Sequence, residues 1–211
     1  VAAAGAFGLE ADERELSRLA RLGSGSAARS VPGGFVELAQ SDSHEGAFAR
    51  QLAPESHWPE LRDVIVIFSE GEKAVSSAEG HRLAATSEML AGRLKGIPAR
   101  AETVRRAIRE RDLPSLGQAA EDDALSMHAL MMTSHPPLLY WAPRTLEAIQ
   151  TVWALRRDGV EAWFTIDAGP NVHVITLERN AKDVSRALKM LGTVRVESAG
   201  PAAGVVAGEG D

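Results

Sequence analysis

Asp167 is the residue whose surroundings most clearly suggest chemistry, because it stands between two strand-like runs at a turn. Residues 163–166 (Trp-Phe-Thr-Ile) and 172–177 (Val-His-Val-Ile-Thr-Leu) are rich in β-branched and aromatic side chains, which favours two strands. Residues 168–171 (Ala-Gly-Pro-Asn) have the chemistry of a turn. The predicted hairpin places the carboxylate at a strand end, where backbone amides of the turn can approach an anionic ligand. An aspartate that only caps its own turn has the same pattern, and the spacing alone favours that second interpretation.

A second candidate is the loop that ends with Arg29, with the sequence Gly-Ser-Gly-Ser-Ala-Ala-Arg-Ser over residues 23–30. Its small residues let the backbone come close to a ligand, and the hydroxyls of Ser24 and Ser26 can donate to oxyanions. The planar guanidinium of Arg29 suits a carboxylate or a phosphate. A flexible linker with a solvated arginine is an equally good interpretation of this loop alone.

Two further polar stretches contain groups that can bind ligands. Residues 70–81 combine a lysine, Lys73, with paired hydroxyls that include Ser77, and end at His81. Residues 41–58 hold several carboxylates and histidines, but their spacings match no usual metal-ligand pattern, so solvated surface is favoured there. Because residues 41–58 also show little periodicity, they are interpreted as a connection between two halves of the chain.

The composition describes a protein able to bury a sizeable core, with 211 residues, 45% hydrophobic residues and 25% charged residues. No apolar run is long enough to span a bilayer, so no membrane partner is expected. The net charge of −6 and the lack of a basic stripe argue against a nucleic-acid partner. The absence of cysteine excludes disulfides and thiol chemistry and fits a reducing compartment, from which we expect a cytoplasmic location.

The periodicity of apolar residues predicts the elements that must position these candidates. Helices are predicted over residues 10–22, 82–94, 99–111, 112–129, 143–157 and 181–191, and strands over 64–68, 163–166, 172–177 and 193–197. The proline pair forbids helix within residues 135–141, and Met127 and His128 are expected at a core-facing helix end. Strands interleaved with helices predict an α+β fold, a two-layer sandwich of helices on a mainly antiparallel sheet.

Together, several stretches resemble mevalonate diphosphate decarboxylases, which are members of the GHMP kinase superfamily. The resemblance rests on Gly-Ser-Gly-Ser-Ala-Ala-Arg-Ser with the following Gly-Gly-Phe-Val, on Val-Ser-Ser-Ala-Glu-Gly-His-Arg-Leu-Ala-Ala-Thr-Ser and on Phe-Thr-Ile-Asp-Ala-Gly-Pro-Asn. The stretch Met-His-Ala-Leu-Met-Met-Thr-Ser-His-Pro-Pro-Leu-Leu-Tyr-Trp is similar to the family as well. These motifs stand in the family's order, and the resemblance covers roughly residues 15–191. It therefore outweighs the interpretations of Asp167 as a simple turn cap and of residues 23–30 as a flexible linker.

The resemblance implies an ATP-dependent decarboxylation of mevalonate 5-diphosphate to isopentenyl diphosphate, with Mg²⁺ accompanying ATP. Asp167 falls on the family's catalytic aspartate beside the substrate's 3-hydroxyl, and Arg29 on the arginine that grips the substrate carboxylate. Ser24 and Ser26 fall on the serines beside that arginine. Ser77, Lys73 and His81 are implied on the phosphate side of the substrate. The related enzymes are commonly homodimers, so a homodimer is expected.

The resemblance also implies boundaries: residues 1–55 as a remnant of the N-terminal domain, 56–198 as the GHMP-type C-terminal domain and 199–211 as a flexible tail. The superfamily's ATP loop has no counterpart here, and since Val1 starts within a helix-like segment without an initiator methionine, we expect that portion before Val1.

Two departures from the family's pattern keep alternative activities open. His81 stands where many members have methionine, and Ala28 where some have cysteine. The change at His81 bears on the length of the phosphate chain, so phosphomevalonate decarboxylase, which gives isopentenyl phosphate, is an alternative. A GHMP-type small-molecule kinase would share the fold, and a non-catalytic homologue is the alternative that is not an enzyme. The presence of both Arg29 and Asp167 favours the decarboxylase.

Overall fold

The computed structural model describes residues 2–38, 40–68 and 77–204, and the chain divides into two compact units. The first unit comprises residues 1–59 and 199–211, and the second comprises residues 60–198. Within the described ranges, no helix is both long and apolar enough to cross a bilayer.

The first unit combines helices with a two-stranded antiparallel sheet. Its elements are helix α1 (Ala2–Ala6), helix α2 (Glu13–Gly23), a 3₁₀ turn (Ala27–Ser30), strands β1 (Phe35–Leu38) and β2 (Ala49–Ala53) and a second 3₁₀ turn (Glu55–His57). Asp12 caps α2 as predicted, because its Oδ1 accepts a hydrogen bond of 2.7 Å from the Glu15 amide. Residues 199–204 belong to this unit through two hydrogen bonds, from Gly34 N to Gly200 O (2.8 Å) and from Ala203 N to Val31 O (3.0 Å). Residues 205–211 of the predicted tail lie outside the described residues.

The prediction that residues 41–58 form only a connection is wrong, because β2 lies inside that stretch and pairs with β1. Its buried residue is Ala49, whereas Arg50 and Gln51 are exposed. A single small buried residue beside two polar ones gives almost no alternating pattern, so the strand is defined by its pairing partner rather than by its own sequence.

The second unit is a four-stranded antiparallel sheet with helices, which confirms the α+β fold. The strands are β3 (Leu61–Ile67), β4 (Ala162–Thr165), β5 (Val172–Leu177) and β6 (Thr193–Glu197), in the order β4-β5-β3-β6. The helices are α3 (Ser77–Ala84), α4 (Leu90–Glu110), α5 (Leu113–Met132), α6 (Pro143–Arg157) and α7 (Glu178–Leu188). The segment predicted to be extended, residues 135–141, contains no helix.

Several predicted helix boundaries are wrong. The helix predicted over 181–191 begins and ends three residues earlier, as α7. The stretch predicted as one helix over 82–94 is interrupted near Ser87, which is buried and hydrogen bonded to Thr133 at 2.6 Å. The helices predicted over 82–94 and 99–111 are instead joined, since α4 continues through Pro98. On either side of that proline, Arg93 and Arg100 both donate to Asp123 of α5, at 2.9 and 3.0 Å, and these tertiary contacts hold the helix together where its local sequence predicts a break.

The core of the second unit is formed by buried residues of the sheet and of helices α5, α6 and α7. Val172, Val174 and Thr176 of β5 alternate inward, as the period of a strand requires. The buried residues that form this core with them are Val64, Val66, Ala124, Ala148, Ile149, Val152, Ala162, Phe164, Ile166, Ala181, Val184 and Leu188. His128 of α5 is 2% exposed, which confirms that this end of the helix faces the interior.

Candidate active-site residues

Asp167 lies one residue after Ile166 at the end of β4, with its side chain exposed. β4 and β5 form the predicted antiparallel hairpin, in which Thr165 pairs with His173. Ile166 is only 2% exposed and belongs to the core. The chain therefore passes directly from a buried anchor to an accessible carboxylate.

The turn that follows Asp167, residues 168–171, is held from several sides. Gly169 has φ +66°, and a Cβ at this position would stand 3.2 Å from the carbonyl oxygen of Tyr140, so glycine satisfies both the backbone angle and the close approach. The hydroxyl of Thr145, a fully buried residue of α6, donates to Pro170 O at 2.8 Å. The Asn171 side chain accepts a hydrogen bond of 3.0 Å from the Phe68 amide just after β3. These contacts fix the backbone that presents Asp167.

The charge of Asp167 acts to raise the pKa of two histidines, which lie on different elements. Burial lowers the pKa of His128, while hydrogen bonding to the backbone of Asp167 and Ile166 and the Asp167 charge act in the opposite direction. On β5, His173 Nδ1 lies 2.7 Å from Asp63 Oδ2, and that hydrogen bond raises the pKa of His173 against the effect of burial. The negative charges of Asp63 and Asp167 raise the His173 pKa further.

In the first unit, the loop that carries Arg29 places its candidate side chains at the surface. Ser24, Ser26 and Arg29 are all exposed, and the two serine hydroxyls lie 3.0 Å apart within hydrogen-bonding distance of each other. Arg29 belongs to the 3₁₀ turn Ala27–Ser30, and its side chain makes no hydrogen bond or ion pair with the part of the chain that the structure describes. Its five side-chain donors are therefore available to an anionic group.

The backbone of this loop is anchored by Ala28 and Ser17. Ala28 is fully buried, and its carbonyl accepts a hydrogen bond of 3.0 Å from the Ser17 hydroxyl. The same hydroxyl accepts from the Ala49 amide of β2 at 2.8 Å. Ser17 therefore links α2, the loop and β2, and holds the loop beneath an exposed Arg29.

The structure describes only some of the residues predicted to bind the phosphate groups of the substrate. His81 is exposed on α3, one residue before Arg82, which pairs with Glu79. Ser77 is the first residue of α3, but its side chain lies outside the described part of the chain, as does all of Lys73.

The structure groups the predicted residues by unit. Ser24, Ser26 and Arg29 lie in one loop of the first unit, whereas His81 and Asp167 belong to the second. Sequence reasoning missed Asp63 and His173, because 110 positions separate these two residues and no local pattern links them. It treated His128 only as a core residue and assigned no role to Thr145.

Among the described residues, no group of three or more histidine or carboxylate side chains is placed to hold a metal ion.

Comparison with known proteins identifies relatives of both units. Residues 63–200 match the mevalonate 5-diphosphate decarboxylase C-terminal domain, and residues 1–49 match the diphosphomevalonate decarboxylase-like N-terminal domain. The chain is 40% identical over 178 residues to the diphosphomevalonate decarboxylase of Homo sapiens, an alignment that covers 82% of this chain and 44% of that protein. The chain thus spans less than half the length of this relative.

Comparison with solved structures also identifies mevalonate diphosphate decarboxylases as relatives. A crystal structure of mevalonate diphosphate decarboxylase from Staphylococcus aureus matches with a TM-score of 0.88 and 30% identity, covering 94% of this chain and 61% of that one. A structure of MDDEF in complex with MVAPP, AMPPCP and magnesium matches with a TM-score of 0.86 and 36% identity, covering 92% of this chain and 61% of that one.

Proposed function

Since this chain belongs to the mevalonate 5-diphosphate decarboxylase family, we propose that it forms part of an enzyme that uses ATP to decarboxylate mevalonate 5-diphosphate to isopentenyl diphosphate. The observation that carries the proposal is the exposed Asp167 carboxylate on a turn fixed by Thr145 and Asn171. A carboxylate fixed in this way can orient a hydroxyl and stabilise developing positive charge without having to reorganise during the reaction.

In the proposed reaction, the 3-hydroxyl of the substrate takes a phosphoryl group from ATP and loses its proton. Asp167 accepts or orients that proton. The phosphate then leaves C3 with the C–O electron pair, and Asp167 stabilises the positive charge that develops at C3. The bond between C2 and the carboxylate breaks, its electron pair forms the new double bond, and CO₂ departs.

Arg29 is proposed to hold the carboxylate that becomes CO₂. Its guanidinium is exposed and makes no hydrogen bond or ion pair with other described residues, and its planar donors match a carboxylate through two parallel hydrogen bonds. Ser24 and Ser26 are proposed to donate to the same end of the substrate. Ser77, Lys73 and His81 are proposed to bind its phosphate groups.

ATP and Mg²⁺ are the proposed co-substrate and metal ion. Magnesium keeps several waters and commonly binds through nucleotide phosphates and one or two carboxylates, so it does not require a cage of protein ligands. A cytoplasmic location is proposed from the absence of cysteine, and a homodimer from the family resemblance.

A second candidate is phosphomevalonate decarboxylase, with a monophosphate substrate. The observation in its favour is His81, which is exposed on α3 in the segment proposed to face the phosphate chain. An imidazole is more polar than a methionine side chain, and it can donate a hydrogen bond to the terminal phosphate of a shorter chain.

The experiment uses the complete product of the gene that encodes this chain. ATP-dependent CO₂ release and ADP release are measured with mevalonate 5-diphosphate and, separately, with the 5-monophosphate. CO₂ release from the diphosphate supports the proposed function, and release from the monophosphate alone supports the second candidate. ADP release without CO₂ would identify a kinase, and neither product would contradict both decarboxylase proposals.

Asp167→Asn tests the role of the carboxylate in the same assay. It is expected to lower kcat by about a hundredfold or more, because it removes the fixed charge and keeps the shape of the side chain. The matched control is Asp158→Asn, an exposed aspartate at the end of α6, which is expected to leave kcat unchanged. Normal turnover by Asp167→Asn would overturn the assignment.

A further inference from the structure

Tyr140 touches two different parts of the second unit, one with its side chain and one with its backbone. It lies in the extended segment, residues 135–141, and its hydroxyl faces Gly80 of α3. A Cβ on Gly80 would stand 2.5 Å from the Tyr140 hydroxyl oxygen and 3.5 Å from its Cζ. A Cβ on Gly169 would stand 3.2 Å from the Tyr140 carbonyl oxygen. Tyr140 is therefore in close contact both with α3 and with the turn that presents Asp167.

Helix α3 is packed beside this segment through a cluster of apolar residues. The buried members of the cluster are Leu130, Met131 and Leu138. Leu83 and Ala84 of α3 pack against them, as does Tyr140. Gly80 is itself buried, and glycine weakens a helix interior relative to alanine. The close approach of the Tyr140 hydroxyl is the physical reason for a glycine at this position.

The ring of Tyr140 has little room to move away from α3. The His128 ring lies edge-on to it, with 6.3 Å between the ring centroids, and Met131 Sδ would lie 3.7 Å from a Cβ on Gly80. The Tyr140 hydroxyl is buried and makes no hydrogen bond with the part of the chain that the structure describes, so its contact with Gly80 is one of packing. Because close-packed interiors transmit displacement, extra volume at Gly80 should shift Tyr140 and, with it, the turn.

The two parts that Tyr140 joins carry different groups of the proposed site. Helix α3 begins at Ser77 and carries His81, which are proposed to bind the phosphate groups of the substrate. The turn presents Asp167, which is proposed to meet the 3-hydroxyl. One substrate molecule has to reach both places, so their separation must be fixed. A misplacement of about 1 Å can reduce the rate about a hundredfold.

We propose that Tyr140 is a positioning residue, which fixes α3 relative to the Asp167 turn so that the phosphate groups and the 3-hydroxyl of one substrate are held in alignment. The inference rests on the proposed function. Tyr140 is not assigned a contact with the substrate.

The test compares Gly80→Ala, Tyr140→Phe and the double variant in the complete gene product. The matched control is Gly92→Ala, an exposed glycine of α4 at which an added Cβ would meet no described atom within 4 Å. For each variant, kcat and KM for the phosphorylated substrate are measured. The hydrogen exchange of peptides that cover residues 166–171 and α7 is measured as well.

For Gly80→Ala, kcat is expected to fall at least about tenfold and KM to rise at least about threefold, because both the turn and α3 are displaced. Exchange is expected to accelerate over residues 166–171 more than over α7. Tyr140→Phe removes the oxygen that the new Cβ would meet and leaves Cζ at 3.5 Å, an ordinary contact distance. The double variant is therefore expected to recover kcat and KM to within about threefold of the unchanged protein, as are Tyr140→Phe and Gly92→Ala alone.

Three results would overturn the inference. A rise in KM alone in Gly80→Ala would show that α3 acts on binding without moving the Asp167 turn. A double variant no better than Gly80→Ala would show that the Tyr140 hydroxyl is not the obstacle. A large loss of kcat in Tyr140→Phe alone would show that the hydroxyl does more than pack. If Gly80→Ala also accelerates exchange in α7, the double variant decides: restored kcat supports the inference, and normal exchange with low kcat contradicts it.

Asp167→Asn separates failure of this inference from failure of the proposed function. A fully active Asp167→Asn contradicts the proposed function and the inference with it. An inactive Asp167→Asn combined with a fully active Gly80→Ala contradicts only the positioning role of Tyr140.

Discussion

Two buried hydroxyls, Ser17 in the first unit and Thr145 in the second, anchor the two candidate loops in the same way but with different results. Each residue is fully buried, donates to a carbonyl of its loop and accepts from a backbone amide. In the first unit this anchor binds the carbonyl of Ala28, and the exposed Arg29 side chain makes no hydrogen bond or ion pair with other described residues. In the second unit further contacts come from distant parts of the chain.

The firmer attachment of the Asp167 turn fits the different roles proposed for Arg29 and Asp167. A guanidinium that grips a carboxylate benefits from freedom to adjust, because its long side chain can close on the ligand after binding. A carboxylate that stabilises developing charge must already be in place, because reorganisation during the reaction would reduce its effect. The following substitutions test whether the second loop is more firmly held than the first.

Glu121→Leu is expected to have the largest effect on stability. The Glu121 carboxylate is 3% exposed and accepts from Trp153 Nε1 at 2.7 Å, from Arg156 at 2.9 Å and from the Phe164 amide at 3.4 Å. Its loss leaves Arg156 without its carboxylate partner and removes one of the contacts that hold β4, the strand that leads to Asp167. We expect a loss of about 3 kcal/mol in the free energy of unfolding by urea.

The control for Glu121→Leu is Glu147→Leu, an exposed position of α6, which is expected to change stability by less than about 0.5 kcal/mol. Equal effects of the two substitutions would show that the Glu121 network does not hold β4.

Thr145→Val and Ser17→Ala test the two anchors directly. Each substitution leaves a backbone carbonyl and a backbone amide without their hydroxyl partner; these groups are buried around Ser17 and half-buried around Thr145. We expect each substitution to lower the free energy of unfolding by about 1–3 kcal/mol. The two substitutions are expected to differ in their effect on activity. Thr145→Val is expected to lower kcat, because it loosens the turn of Asp167, whereas Ser17→Ala is expected mainly to raise KM, because it loosens the loop of Arg29. The opposite pattern in steady-state kinetics would reverse the proposed difference between the loops.

The two histidines near Asp167 are expected to titrate on opposite sides of the ordinary histidine pKa of about 6.5. The hydrogen bond to Asp63 raises the pKa of His173, whereas burial lowers the pKa of His128. In an NMR titration, His128 should therefore remain neutral to a lower pH than His173. Asp63→Asn should lower the pKa of His173, and an unchanged value would contradict the pairing.

The sign of the stability effect at His173 follows from its raised pKa. The folded protein binds the proton more tightly than the unfolded chain, so the stabilisation is fully present below the unfolded pKa and is lost as pH rises through the folded pKa. Because the His173 and Asp63 side chains are 36% and 39% exposed, we expect less than about 1 kcal/mol. The destabilisation caused by His173→Gln should thus be larger at acidic than at alkaline pH.

Ser24→Ala is expected to have the smallest effect on stability. The Ser24 hydroxyl is exposed, and among the described residues it bonds only to Ser26, so the free energy of unfolding should change by less than about 0.5 kcal/mol. An effect confined to KM would support a contact with the substrate. A large loss of stability would show instead that the Arg29 loop depends on this hydroxyl pair.

Local sequence predicted the elements whose signals lie within a few residues. Helix α6 and strands β5 and β6 begin and end where their periodicity and flanking residues indicated, and the hairpin around Asp167 followed from β-branched runs on either side of a Gly-Pro-Asn turn. The motifs around Arg29 and Asp167 are equally local, and their residue types and order were sufficient to indicate the family. These features are determined by neighbouring residues, which any window of the sequence contains.

Tertiary structure alone decided where distant residues meet. Helix α4 continues through Pro98 because Asp123 of α5 binds arginines on both sides of it, and the turn after Asp167 is held by Phe68, which lies 103 positions from Asn171. Such contacts depend on how the sheet and helices pack, and no local pattern of residue types encodes which buried groups will face each other once the core has formed.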